Sequence, residues 1–264
     1  MNHVKFVGKV TSVNQRPGSV RPVMVAVVLA ATMQGALGTS VPVPNSSFEL
    51  PAGPFLPTGV STVIDSWVKS AAPVWFDPTA FGVQWNQLSG IFPNSPVGDP
   101  RHLVNLDGGQ VAFFLAVPEV GLSQPLSATY QTGLAYDLTV GVRGGGSLTA
   151  GTTFQIGLAY QNGTTLIPIS STTVTATAEF ATANQLFDFS ATVPAVGTGD
   201  SWLGKNIGIT LAVTSQNGAA GTAYWEVDKV RLSATATPEP GELALLTVGA
   251  SMLALLGWRR ANTR

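Results

Sequence analysis

The 264-residue chain has no cysteine and only two histidines. A thiolate-held zinc or iron–sulfur centre is therefore excluded, and so is a disulfide framework. Charge is scarce as well: charged residues make up 10% of the chain, against roughly 25% in an ordinary globular protein. With 13 Lys+Arg against 14 Asp+Glu, no basic excess is available to hold nucleic acid. Residues 39–236 also lack any sustained helical stripe with caps, and no internal repeat is visible. What is present is apolar: hydrophobic residues reach 45%, with 29 Gly and 18 Pro, which does not suit a disordered polar chain. The length allows one domain of about 200 residues with targeting segments at its ends.

Residues 1–22 carry Lys5, Lys9, Arg16 and Arg21 without an acidic residue, and the apolar run Val23–Met33 follows. Ala36 and Gly38 then place small residues at the −3 and −1 positions relative to Thr39. Basic, apolar and small-residue segments in that order predict a secretory signal peptide over 1–38. The 11-residue run is short for a membrane span; a buried N-terminal helix is the other reading.

At the other end, Thr237-Pro238-Glu239-Pro240 leads into a 16-residue uncharged run, Leu243–Trp258, followed by Arg259, Arg260 and Arg264. As a helix the run would reach about 24 Å, close to the hydrocarbon thickness of a bilayer. Trp258 sits at the interfacial position, and the arginines would stay on the cytoplasmic side. These three parts in order resemble the PEP-CTERM sorting signal of Gram-negative bacteria, with Pro238, Glu239, Pro240, Arg259 and Arg260 as its motif residues. The resemblance covers 237–264. It implies a transmembrane helix that anchors the chain briefly in the inner membrane, and removal by an exosortase-type membrane protease. The destination it implies is the cell surface or an exopolysaccharide matrix. A plain anchor that stays attached is the alternative. Residues 39–240 hold six cations and 13 acids, net −7, so the exported body is acidic and could attract Ca²⁺.

Between the ends, strand periodicity dominates. Leu134, Tyr136, Leu138, Val140 and Val142 share one face, as do Phe154, Ile156, Leu158 and Tyr160, and again Ile207, Ile209, Leu211 and Val213. Asn162-Gly163 and Asn217-Gly218 follow the last two as hairpin signals. Weaker strands are expected at 111–117, 172–178 and 186–190. The pattern predicts an all-β sandwich or barrel over 39–236. In the closing segment Trp225 and Val227 have one parity, Val230 and Leu232 the other, which predicts a β-bulge at Asp228–Lys229.

The segment Val43–Glu49 (VPNSSFE) and the segment Tyr224–Leu232 (YWEVDKVRL), with alternating strands between, resemble the opening and closing strands of the galactose-binding-like jelly roll found in many carbohydrate-binding modules. The resemblance implies a jelly-roll β-sandwich in which the first and last strands pair. It also implies a structural Ca²⁺ between them, held by Glu49 and Asp228. Solvated carboxylates at strand ends are the other reading of both residues.

Candidate chemistry is sparse. His102 is the only histidine of the exported body and no G-x-S-x-G motif accompanies it. Gly199–Asn206 approaches the P-loop pattern but lacks its Ser/Thr and precedes a strand. Gly144-Gly145-Gly146 reads as a loop. No two acids are marked as a glycosidase pair. The most suggestive feature is aromatic: Trp67, Trp75, Phe76, Phe81, Trp85 and Phe92 fall within 26 residues. Exposed, they would stack on sugar rings, with Trp67, Trp75 and Trp85 as the glycan-binding residues; buried, they would fill one end of the core. The sequence thus leads to the expectation of a non-enzymatic exported protein of structural or adhesive role. A glycan-binding module is the alternative and a glycoside hydrolase a minor one.

Overall fold

The computed structural model describes residues 38–55, 59–180, 182–215, 222–237 and 249. The signal-peptide and sorting-tail expectations therefore lie outside the described residues, as does Asn217-Gly218. One of the two compact units of the chain, Ala36–Ala244, holds all of these residues except Gly249. No helix among the described residues is long and apolar enough to cross a membrane.

Among the described residues, eleven strands form two sheets. They are β1 (Thr39–Val41), β2 (Val68–Lys69), β3 (Ser89–Pro93), β4 (Gln110–Leu115), β5 (Gly121–Thr129), β6 (Leu134–Gly146), β7 (Thr153–Asn162), β8 (Thr165–Thr175), β9 (Phe187–Val193), β10 (Asn206–Ser215) and β11 (Ala223–Ala236). The first sheet runs β3-β4-β11-β6-β9, with β1 beside β11; the second runs β2-β5-β10-β7-β8. All pairings are antiparallel. From β4 onward the chain changes sheet at every connection except the β7–β8 hairpin.

The period-2 faces read from the sequence form the core. Leu138, Val140 and Val142 of β6 meet Phe154, Ile156 and Leu158 of β7 and Ile207, Ile209 and Leu211 of β10, all fully buried. Trp225 fills the centre, 5.5 Å from the Phe154 ring and 6.1 Å from Phe180. The expected bulge is present: register slips between Asp228 and Arg231, and Lys229 takes a left-handed φ of 58°. Trp225 and Val227 before it, and Val230 and Leu232 after it, all reach the core. Asp228 is left on the outer side.

Two expectations need correction. The opening motif is not the strand that pairs with β11: Thr39–Val41 takes that place, and 44–47 is a turn. Pro44 has no N–H for a ladder, and Asn45 and Phe48 adopt φ of 48° and 55°. That backbone turns Phe48 inward to stack on Trp67 at 5.3 Å. Second, Gly144-Gly145-Gly146 is not a loop but the end of β6, paired with Ala223–Trp225.

The open sides of the sandwich are stitched together. Thr172 Oγ1 donates to Ser190 O at 2.6 Å, tying β8 to β9. On the other side Lys69 Nζ, at the end of β2, donates to Asn86 O and to Ser89 O of β3, both at 2.5 Å. Burial pushes the Lys69 ammonium down from 10.5 to about 8. The folded chain thus releases this proton before the unfolded chain does. The cost of burying the charge is present in full below pH 8 and lifts as pH rises toward 10.5. Because the amine is half exposed, wild type should gain no more than about 1 kcal/mol on Lys69→Met between pH 7 and pH 10. Urea midpoints of both proteins at the two pH values check this, and a constant gap would refute it.

Candidate functional site

The outer face of the first sheet carries the chemistry. Antiparallel register aligns Gly90 with Phe113, Phe113 with Glu226, and Glu226 with Arg143. One row across β3, β4, β11 and β6 therefore reads glycine, aromatic ring, carboxyl, guanidinium. In the adjacent row Leu115 faces Tyr224, and Tyr224 faces Gly145. Phe92 completes the wall, 5.9 Å from the Phe113 ring and 6.2 Å from Tyr224, edge-on to the latter at 89°.

A segment outside the strands roofs part of this face. Asn94 Nδ2 donates to Leu103 O, and Leu103 N donates back to Asn94 Oδ1, at 2.9 and 3.0 Å. Asn105 makes the same two-way clasp with Leu186, at 2.9 and 2.8 Å. Leu103, Leu186 and Val111 form a small buried cluster beneath, with Phe92 and Leu106 against it. Within the loop closed by the first clasp stands Arg101, bidentate on Asp99 at 3.0 and 2.8 Å.

The result is a two-part cleft. Its polar end, about 520 Å³, is lined by Asn94, Ser95, Arg101, Arg143 and Glu226 with Phe92 and Tyr224. Its apolar end, about 600 Å³, is lined by Val60, Pro93, Phe113 and Leu115, again with Phe92 and Tyr224. Glu226 Oε2 accepts from Arg143 Nε, and Arg143 Nη1 donates to Ala183 O. Both charged groups are buried. Burial raises the Glu226 carboxyl above the usual carboxylate range, opposed by the charge and hydrogen bond of Arg143. Burial likewise raises the Tyr224 phenol, with the Glu226 charge adding to the effect. A buried carboxyl whose affinity for its proton is raised, beside an apolar slot, is placed for proton transfer in a dry environment. A third hollow, of about 560 Å³, lies at the far end of β11. Among the described residues that line it the one titratable group is Tyr136, whose hydroxyl donates to Thr129 O and accepts from Gln131 N.

The residues singled out from the sequence lie elsewhere. Trp67 and Trp85 are 7% and 9% exposed, whereas Trp75 is 48% exposed. Trp67 stacks on Phe48; Trp75 and Trp85 pack with Phe76 and Phe81. The structure does not bring the three onto one exposed face. Indole nitrogens are occupied too: Trp85 donates to Ser70 O and Trp75 to Glu119, at 2.8 and 2.9 Å. His102 places Nδ1 2.6 Å from Ser95 O, within the roof segment.

Glu49 and Asp228, by contrast, are brought together by residues 107–110. Asp107 N donates to Asp228 Oδ2 at 2.7 Å, while Gly109 N and Gln110 N donate to Glu49 Oε1 at 2.9 and 2.7 Å. Asp228 is fully buried, its Oδ1 has no hydrogen-bond partner among the described residues, and its carboxyl is pushed up to about 7. Burial is the main cause, with the charges of Asp107 and Glu49 adding to it and the N–H donors opposing it. An orphaned buried carboxylate oxygen among acceptors fits a hard cation. Among the described residues no group of three or more histidine, aspartate or glutamate side chains is placed to hold a metal, so carbonyls and water would complete the shell.

Sequence reasoning missed Phe92, Phe113, Arg143, Tyr224 and Glu226 as one site. The available signal was Arg143, a cation at an alternate position of a strand otherwise poor in charge.

The model of the HpiC1-like family, described as HpiC1 cyclase, matches residues 39–233. Among solved structures, the Stig cyclase Fisc from Fischerella sp. TAU, in complex with (3Z)-3-(1-methyl-2-pyrrolidinylidene)-3H-indole, is 18% identical with a TM-score of 0.54. That likeness covers 76% of this chain and all of the other. A cyclase from the same organism in complex with 4-(1H-indol-3-yl)butan-2-one superposes equally, at 18% identity and TM-score 0.54, over 76% of this chain and 99% of that one. At this identity they show a shared fold. The carbohydrate-binding module TmCBM61, in complex with β-1,4-galactotriose, reaches a TM-score of 0.41 at 13% identity, over 74% of this chain and 97% of that one. No curated protein matches the sequence.

Proposed function

The chain belongs to the HpiC1-like cyclase family, and from that premise we propose that it is an enzyme closing a ring in an apolar aromatic substrate held in the two-part cleft. The non-enzymatic structural or adhesive role expected from the sequence is thereby corrected, and the glycan-binding and glycoside-hydrolase alternatives fall with it. The aromatic residues behind the glycan reading pack against one another, and Trp67, Trp75 and Trp85 do not line the cleft.

The observation that carries the proposal is the row Phe113–Glu226–Arg143. Ring closure within one molecule is an isomerisation: a proton given at one atom is recovered at another, and no oxidant is needed. The Glu226 carboxyl supplies the proton to the electrophilic end of the substrate. Arg143 stabilises the carboxylate left behind, which then accepts the proton released by the attacking ring. Phe92, Phe113 and Tyr224 hold the flat ring and keep water from the charged intermediate. The two Fischerella structures contain indole-based ligands, so an indole bearing an alkenyl side chain is the first substrate class to test. Glu226→Gln keeps the shape and removes the proton. It should lower turnover roughly 10²-fold or more while binding 4-(1H-indol-3-yl)butan-2-one as wild type does. Turnover unchanged in this variant would overturn the assignment of Glu226.

Two further readings belong here. Glu49 and Asp228 would hold a structural Ca²⁺ that ties 107–110 to both ends of the domain. The tail from Pro238 to Arg264, with its resemblance to a sorting signal, would direct export and be removed by an exosortase-type protease before release to the cell surface or an exopolysaccharide matrix. The intact mass of protein recovered from its own host should then end short of Leu243. A mass that includes Arg264 would refute processing.

A further inference from the structure

Tyr224 owes its position to a missing side chain. Its ring lies over Gly145, its direct partner on β6. A Cβ at 145 would stand 2.6 Å from Tyr224 Cζ and 2.9 Å from Cδ2, and the nearest atoms are all of that ring. The neighbouring glycines differ. At Gly146 φ is 59° and a Cβ would strike the Thr222 carbonyl. At Gly90 it would strike the Ser61 carbonyl as well as Phe113. A side chain at 146 or 90 therefore disturbs backbone, whereas one at 145 meets only a ring that can swing.

The strand order decides where the ring goes. β11 lies between β6 and β4, so a ring lifted off β6 moves toward Leu115 and Phe113 of β4, which are the opposite wall of the apolar end. Resting on the cleft assignment made above, we propose that Gly145 is the specificity-determining residue of this site: it seats Tyr224 flat on β6 and so sets the width of the apolar slot. The slot admits a fused bicyclic aromatic with a side chain because position 145 is empty. Any side chain there restricts the site to the bare ring or to smaller ligands.

Calorimetric titration of the full chain with indole and with 4-(1H-indol-3-yl)butan-2-one tests this, with thermal melts confirming that each variant folds. Gly145→Ala should weaken the larger ligand by about tenfold, the scale at which a methylene-sized mismatch is felt in an apolar pocket, and leave indole nearly unchanged. Removing the ring should remove the effect: Tyr224→Ala and Tyr224→Ala/Gly145→Ala should bind both ligands alike. Unchanged selectivity in Gly145→Ala overturns the proposal, as does an equal loss in the Tyr224→Ala background. Either result leaves the cyclase reading standing. Failure of wild type to bind either ligand overturns both.

Discussion

Arg143→Met is expected to cost the fold about 3–5 kcal/mol, because it leaves the buried Glu226 carboxylate without its cation. For a domain of this size that lowers the melting temperature by roughly 6–20 °C. Most of the loss comes from stranding the partner rather than from the worth of the pair itself. Arg143→Met/Glu226→Gln should therefore recover much of it. Glu226→Gln alone should cost less than Arg143→Met, since the guanidinium keeps the Ala183 carbonyl. Melts of the four proteins give the coupling directly, and additive losses would refute it. The pH dependence has a definite sign. Burial already raises the Glu226 carboxyl, and loss of Arg143 raises it further. The variant's deficit should shrink as pH falls and Glu226 takes up its proton, and widen as pH rises.

Asp228→Asn has an effect that should change sign with calcium. In the presence of chelator, wild type carries a buried carboxyl raised from 3.8 to about 7. The resulting cost is absent below pH 4, builds between pH 4 and 7 as the unfolded chain alone releases its proton, and is full above pH 7. Removing the charge should then stabilise the domain by roughly 2–4 kcal/mol at pH 8. In calcium at a hundred times its dissociation constant, wild type gains about 2.7 kcal/mol that the variant cannot share, and the advantage of the variant shrinks or reverses. Melting temperatures at pH 8 with chelator and with calcium check both halves. If chelator leaves wild type unmoved, the calcium proposal fails. If the variant is no more stable in chelator at pH 8, the burial cost is not as derived.

The strands that alternate cleanly were legible. The faces Leu134–Val142, Phe154–Tyr160 and Ile207–Val213 became β6, β7 and β10, and Asn162-Gly163 became the β7–β8 turn, with Gly163 at φ 61°. The bulge at Asp228–Lys229 was legible because a parity change has no other regular explanation. β5 was not: Pro125 interrupts its pattern, yet the strand runs on through it, opposite Gly208 where the partner's register slips. The site was illegible for a deeper reason. Gly90, Phe113, Arg143 and Glu226 lie on four strands, and only cross-strand register makes them neighbours. Period-2 reading tells which face a residue takes, not which strand lies beside it. Glu49 and Asp228 could be paired because the sequence resemblance supplied the adjacency that periodicity lacks.

The asparagine clasps at 94 and 105 separate the roof of the cleft from its floor. Each is a closed exchange of two hydrogen bonds between one side chain and a single residue's backbone, so neither depends on what stands between 95 and 102. That stretch is a cassette. It is expected to tolerate changes of length and sequence with the strands in place, each change presenting new groups to the same carboxyl and the same rings. On this scaffold a change of preferred substrate need not be won by altering the sheet.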